Sequence, residues 1–409
     1  MNALKILLVG VCVGSSAQVA SANTTLENLQ HELLQNNPQL MSVEEKIKAQ
    51  ESSARSTLGR FAPKIAVNAG YGDEDTHEEL NQGYVGYLSG SWNIFNGGQD
   101  LLARNISQLE LDIVRSEREK TRRLLTRQLK EIYFTLLGHK KTIDLLEDKS
   151  RFIQQQGQMA QKKINAGLTS AVDRIELDLT ANSITLEKER LQSEMQQLTK
   201  ELESLLNKTF ESLPVASSDS FETAAISVDP EKLSEKNPEI QRQQYLEEIS
   251  FLQASQARFD FLPEVNLRAN YGRITPEYGD ITKGSESQLF LVLTWELFTG
   301  FSKYHNLKAA TYTTSSQKLE KTQKHLEIRS QAQNLITARD NLLRMKNLQE
   351  QRLSFAKKYY DLTLAEYRRG VKNSGDLEMA TTSLFSSRRK LIELDRDVSI
   401  LNAKISELI

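Results

Sequence analysis

Residues 91–98 read Ser-Trp-Asn-Ile-Phe-Asn-Gly-Gly, and residues 294–301 read Thr-Trp-Glu-Leu-Phe-Thr-Gly-Phe. Before each, apolar and polar residues alternate; after each comes a long proline-free stretch rich in Leu, Glu, Lys, Gln and Arg. The two octets therefore mark, twice in one chain, a switch from the two-residue period of a strand to the period of a helix.

Working outward from them exposes a duplication. Asn37-Pro38, Phe61, Pro63 and Tyr71-Gly72 recur 200 residues later as Asn237-Pro238, Phe261, Pro263 and Tyr271-Gly272. Trp92, Phe95, Gly97, Gly167 and Asp173 recur at an offset of 203 as Trp295, Phe298, Gly300, Gly370 and Asp376. A three-residue insertion between the strands of the second copy accounts for the change. The pattern predicts a first unit over 23–210, with helices at 25–60, strands at about 64–72 and 84–95, and helices at 98–166 and 170–207. A connector follows at 211–230, marked by Pro214, serines and Pro230. The second unit, 231–409, is expected to carry helix 231–260, strands at about 264–272 and 287–298, and helices 301–369 and 374–408.

The strand runs have one apolar face. Ile65, Val67, Ala69 and Tyr71 alternate with small or polar residues, as do Val265, Leu267, Ala269 and Tyr271. The returning strands offer Tyr84, Leu88, Trp92 and Ile94, then Leu289, Leu291, Leu293, Trp295 and Leu297. Each approaches the roughly 9–11 residues of a tilted membrane strand, and Tyr71, Tyr271, Trp92 and Trp295 stand near the ends, where boundary aromatics belong. A soluble sandwich with this face buried would show the same alternation.

The long helix shows an apolar 3-4 spacing at Leu125, Leu129, Ile132, Leu136, Ile143, Leu146 and Ile153, a coiled-coil seam. It would be on the order of 100 Å long. After Gly167 a helix returns, marked by Ile175, Leu179, Leu186, Leu198, Leu202 and Leu205; after Gly370 the second copy does the same. Four strands cannot close a barrel, and an open sheet in lipid leaves unpaired backbone groups at its edges. If the chain inserts, it must therefore oligomerise: two copies would give 8 strands and a filled barrel, three would give 12 and a polar lumen.

The chain opens with Lys5, an apolar run from Ile6 to Val13 and Ala20-Ser21-Ala22, so residues 1–22 are expected to be a signal peptide for export. Cys12, the only cysteine, lies within it, and the preceding Val11 is too large for a lipid-attachment site. The formal net charge of −2 gives no bulk basic character for nucleic acid. The five histidines have no metal-ligand spacing, and neither phosphate loop nor nucleophile elbow is present. No enzymatic activity, metal or cofactor is expected.

The octets 91–98 and 294–301, the turns INAGLTSAVDRIELD at 164–178 and YRRGVKNSGDLEMA at 367–380, the Asn-Pro pairs and the element order together resemble the TolC-like outer-membrane efflux proteins over essentially the whole chain. The resemblance implies a mainly α fold with a transmembrane β part: a homotrimer with a 12-strand barrel in outer-membrane lipid, continued by a 12-helix periplasmic tunnel. It implies a passive duct for tripartite efflux or type I secretion, opened by docking to a periplasmic adaptor and an inner-membrane transporter. By the same likeness, Asp376 occupies an acidic gate position. The next gate position is Met379, so Asp173 and Glu176 are further gate candidates. The simpler role for Asp376 and Asp173 is as helix N-terminal residues favoured by the dipole. Gly167, Leu168, Thr169, Gly370, Val371 and Ser374 are the expected adaptor contacts. A periplasmic coiled-coil scaffold or adhesin stalk is the rival function; it explains the helices but not the strands.

Overall fold

The computed structural model describes residues 25–76, 79–166, 171–216, 218–224, 237–277 and 285–408. The expected signal peptide and the tip residues Gly167, Leu168 and Thr169 lie outside them. Helices α1 (Leu26–Asn36) and α2 (Pro38–Ser56) meet at Asn37, and a 3₁₀ turn, Thr57–Phe61, leads to strands β1 (Lys64–Thr76) and β2 (Glu79–Asn96). Helices α3 (Gln99–Asn165) and α4 (Ala171–Leu206) complete the first copy. The second copy comprises α5 (Pro238–Phe259), β3 (Glu264–Glu277), β4 (Glu286–Thr294), α6 (Ser302–Arg368) and α7 (Ser374–Leu408).

Local chemistry sets the boundaries. Asn37 Oδ1 accepts from the amides of Gln39 and Leu40 at 2.9 and 3.1 Å, with Pro38 in the first helical position, where its missing N–H costs nothing. Asn237 repeats this with Glu239 N at 2.9 Å. The turn from β2 into α3 needs left-handed backbone at Gly97 and Gly98, with φ of 68° and 84°. A Cβ on Gly97 would sit 2.8 Å from the carbonyl oxygen of Phe259, so only glycine fits. The matching turn in the second copy uses Gly300 and, against the usual preference, Phe301 at φ 66°.

The four strands form one antiparallel sheet in the order β1-β2-β3-β4. The helices continue that order. Nearest the sheet, α2 packs on α3, α3 on α5 and α5 on α6; farther away, α4 packs on α3, α3 on α7 and α7 on α6. The protomer is thus a slab, one edge formed by β1, α2 and α4, the other by β4 and α6. The largest core joins α1, α3 and α4 through Leu29, Leu33, Leu129, Leu136, Leu137 and Leu202. A second core near the far end holds Tyr360, Tyr367, Leu377 and Leu384.

Three local readings change. The strand expected at about 287–298 ends at Thr294, because residues 295–299 find no partner strand among the described residues. On α4 the residues facing α3 are Leu177, Ile184, Leu191, Met195, Leu202 and Leu206. Ile175, Leu179 and Leu186 are 58%, 63% and 72% exposed, because α4 carries two apolar stripes and a single chain covers one. In β2, the pairing with β3 shifts between Asn93 and Phe95, leaving Ile94 as the unpaired extra residue of a β-bulge. Phe95 then pairs with Val265 and Trp92 with Leu267, so Trp92 and Phe95 share a face although three residues apart. The described part of the connector lies against the helices: Tyr133 Oη donates to Asp219 at 2.8 Å, and Asn402 Nδ2 donates to the carbonyls of Glu222 and Ala224 at 2.7 and 3.0 Å.

Candidate functional site: sheet faces, slab edges and hairpin tips

Directly paired residues of an antiparallel sheet point to the same side, so the register sorts every strand residue. On one side Val67 stands against Leu88, Tyr71 against Tyr84, Leu88 against Tyr271, Trp92 against Leu267, and Leu267 against Leu291. No described residue covers this band: Val67 is 80% exposed, Leu289 71% and Leu291 68%. So large a contiguous apolar surface marks a contact with lipid or protein. The opposite side carries Lys64, Asn68, Ser89, Ser91, Asn266, Arg268, Asn270 and Gln288, with Tyr87, Phe290 and Val292 among them. Asn68 Nδ2 donates to Ser89 Oγ across it at 2.7 Å.

The two tryptophans expected at a membrane boundary, Trp92 and Trp295, lie where the sheet meets the helices. Trp92 Nε1 donates to the carbonyl of Phe61 and Trp295 Nε1 to that of Phe261, both at 3.0 Å. Each ring is exposed while its one polar atom is satisfied, which suits a lipid–water boundary. Tyr71 and Tyr84 make an edge-to-face pair 5.1 Å apart, farther along the strands. Among the described residues no helix is long and apolar enough to cross a membrane.

The edges are unfinished. Trp92–Asn96 are strand because β3 supplies partners for them. Their counterparts at 295–299, on the open edge, pair with no described strand. On the helical edges, Val172, Ile175, Leu179 and Leu186 stand exposed on α4, and Leu348, Phe355, Tyr359 and Leu362 on α6. Val172, Leu179 and Leu186 are seven apart, as are Leu348, Phe355 and Leu362. Both rows have heptad spacing, and their side chains stay exposed in the single chain.

At the far end α6 terminates on Gly370, φ 80°, with Val371 N donating to Glu366 O at 3.0 Å and Gly370 N to Tyr367 O at 3.1 Å, the bonds of a glycine C-cap. Helix α7 starts with a reciprocal cap: Asp376 N donates to Asn373 Oδ1 at 2.8 Å, and Asn373 N to Asp376 Oδ2 at 3.3 Å. Lys372 lies 3.8 Å from the Asp376 carboxylate. The structure therefore gives Asp376 a capping contact. Asp173 stands in the first turn of α4 and Glu176 is exposed one residue after Ile175. Val371 is 71% exposed, whereas Ser374 is buried.

Among the described residues, contacts tie the two hairpins together from the tips upward. Lys163 Nζ donates to Tyr367 O at 2.9 Å and lies 3.6 Å from the centre of the Tyr367 ring. Gln156 donates to Thr381 Oγ1 at 2.9 Å, Thr180 to Glu378 at 2.6 Å and Arg389 to Glu187 at 2.9 Å. Burial pushes the Lys149 ammonium below its ordinary value, with Glu378 opposing the shift.

A family model described as outer membrane efflux protein matches the chain twice, over residues 29–208 and 230–409. No curated protein matches by sequence. Similar solved structures include CusC, with a TM-score of 0.84 and 16% identity, covering 95% of this chain and 92% of that one. The outer membrane protein VceC of Vibrio cholerae has a TM-score of 0.79 at 17% identity, covering 93% of this chain and 94% of that one. The open state of the Neisseria gonorrhoeae MtrE outer membrane channel has a TM-score of 0.80 at 16% identity, covering 94% and 88% respectively.

Proposed function

The chain belongs to the outer membrane efflux protein family, and from that membership we propose that three copies close into the passive exit duct of a tripartite efflux or type I secretion system. The observation that carries this reading is the slab itself. Its two edges differ, so copies associate head to tail, and a ring is the closed form of such a contact. Closure pairs β4 and 295–299 with the next copy's β1, abolishing the sheet edges. It also lays the α6 row against the next copy's α4. Counted back from the turn glycines, Leu362 and Ile175 are each eight residues away, and Tyr359 and Leu179 are eleven and twelve, so the rows meet at matched heights.

Three copies give a 12-strand barrel, wide enough for a wet lumen. The apolar band faces lipid and the Asn, Ser, Arg and Lys side faces the passage. Residues 1–22 direct export, and the helices reach through the periplasm. There an adaptor binds the turns at Gly167, Leu168, Thr169, Gly370, Val371 and Ser374, and an inner-membrane transporter supplies the energy. Acidic residues at the tips, Asp376, Asp173 and Glu176, narrow the closed end. Opening separates the hairpins by breaking contacts such as Lys163–Tyr367.

Single-channel conductance and mass of the mature protein in detergent test this. A trimer that forms stable pores is the expected result; a water-soluble species that never inserts would replace the duct with the scaffold.

A further inference from the structure

Between α2 and α3, just below the sheet, lies a groove of about 280 Å³ whose lining includes Arg55, Arg104, Arg115, Glu51, Leu58 and Leu111. Arg115 is neutralised by Glu51 at 3.3 Å and Asp112 at 3.1 Å. Arg55 and Arg104, from different helices, have no side-chain hydrogen bond or ion pair among the described residues. Glu51, the carboxylate in the lining, is engaged by Arg115, so two guanidinium groups stand at one groove with no carboxylate paired to them, the chemistry that takes an anion.

The position names the anion. Trp92, on the apolar face, is bonded to Phe61 O and sets the level of the lipid boundary. Arg55 precedes Phe61, whose carbonyl holds the Trp92 ring, by six residues, so its backbone lies roughly 9–12 Å below that level, and Arg104 shares the groove with it. The headgroup layer is roughly 5–8 Å thick on each side of a bilayer, within reach of an arginine that extends upward. The rim toward the sheet is apolar at Leu58, which is 49% exposed. An acyl-chain neighbour suits that rim better than water does.

We infer that this groove binds the phosphate of an anionic phospholipid from the periplasmic leaflet, one per protomer, an assignment that rests on the outer-membrane reading above. The duplication supplies an internal control. At the matching positions of the second copy, Arg55 is replaced by Ser255, Arg104 by Leu307 and Arg115 by Lys318. The site therefore belongs to one half of the chain, so a trimer would carry three.

The test uses the full mature protein in detergent with added phosphatidylglycerol or phosphatidylcholine, read by native mass for bound lipid, with insertion into liposomes measured on the same sample. The expected result is retained phosphatidylglycerol, up to one per protomer, weakened about thirtyfold by Arg55→Gln with Arg104→Gln, each basic group near an anionic surface contributing a factor of about five. Lys318→Gln leaves retention unchanged. Equal retention by the double variant, or equal binding of the two lipids, overturns the site while insertion leaves the duct standing. Displacement of the lipid by inorganic phosphate at equal concentration would reassign the groove to a free anion. A protein that does not insert removes both readings.

Discussion

The side-chain amide of Asn37 donates to the backbone carbonyl of Leu205 at 2.8 Å, and Asn237 donates in the same way to Leu408 at 3.1 Å. In each copy one asparagine thus does two things. Its oxygen caps the helix that begins at the adjacent proline, and its nitrogen satisfies a carbonyl left over at the end of the returning helix. The short helix and the returning helix are joined end to end by a single buried residue, 4% exposed in the first copy and 5% in the second.

Asn37→Ala removes the cap and leaves the Leu205 carbonyl unpaired. The expected cost is about 2–3 kcal/mol, combining a cap and a buried hydrogen bond. Asn237→Ala should cost a similar amount, and the two should add, the sites sharing no partner. Thermal unfolding of the detergent-solubilised protein measures this; a loss below 1 kcal/mol at both sites would mean that water replaces both bonds.

The two strand-to-helix turns should respond unequally to the same change. Gly97→Ala places a methyl 2.8 Å from the Phe259 carbonyl oxygen, whereas Gly300→Ala meets nothing within 4 Å and pays only the left-handed strain of about 1–2 kcal/mol. Folded yield and melting temperature are expected to fall much further for Gly97→Ala. Equal losses would show that steric fit to Phe259 is not what selects glycine at Gly97.

On α4, Leu177→Glu and Leu179→Glu separate folding from assembly. Leu177 is 4% exposed and packs within the chain, while Leu179 is 63% exposed. Leu179→Glu is expected to preserve helical content and prevent trimer formation, as measured by mass in detergent. Leu177→Glu should damage both. A Leu179→Glu protein that still forms trimers would remove the α4 row from the contact.

At the tip, Asp376→Asn keeps an acceptor for the Asn373 amide and removes the charge. Higher conductance or weaker cation preference in a planar bilayer is expected if the charge narrows the passage. Unchanged conductance and selectivity would confine Asp376 to its capping role.

His139, on α3, has its pKa lowered by burial; Glu194 at 3.6 Å opposes the shift, and Arg396, Arg190 and Arg389 add to it. The folded state therefore favours the neutral ring, while the unfolded chain takes up a proton near its ordinary value of 6.5. Stability contributed in this way is complete above that value and declines as pH falls below it. Melting temperature should drop between pH 7.5 and 5.5, and His139→Gln should flatten that part of the profile. An unaltered slope in the variant would assign the dependence to other groups.

The sequence by itself determined the duplication, the change of period at Trp92 and Trp295, the glycine turns and the great length of α3 and α6, because strand and helix periods and turn chemistry are local properties. It also marked the Asn-Pro caps. Tertiary structure decided which of the two α4 stripes faces α3. Leu177 and Leu179 are both apolar and both fit a helical period, and only the position of the neighbouring helix separates them. It decided that Ile94 is a bulge, since a bulge is defined by what the partner strand lacks. It brought Arg55 beside Arg104 and Asn37 onto Leu205, pairs 49 and 168 residues apart in the chain. Such meetings depend on how the slab is folded across its width, a relation that no periodicity along one segment encodes.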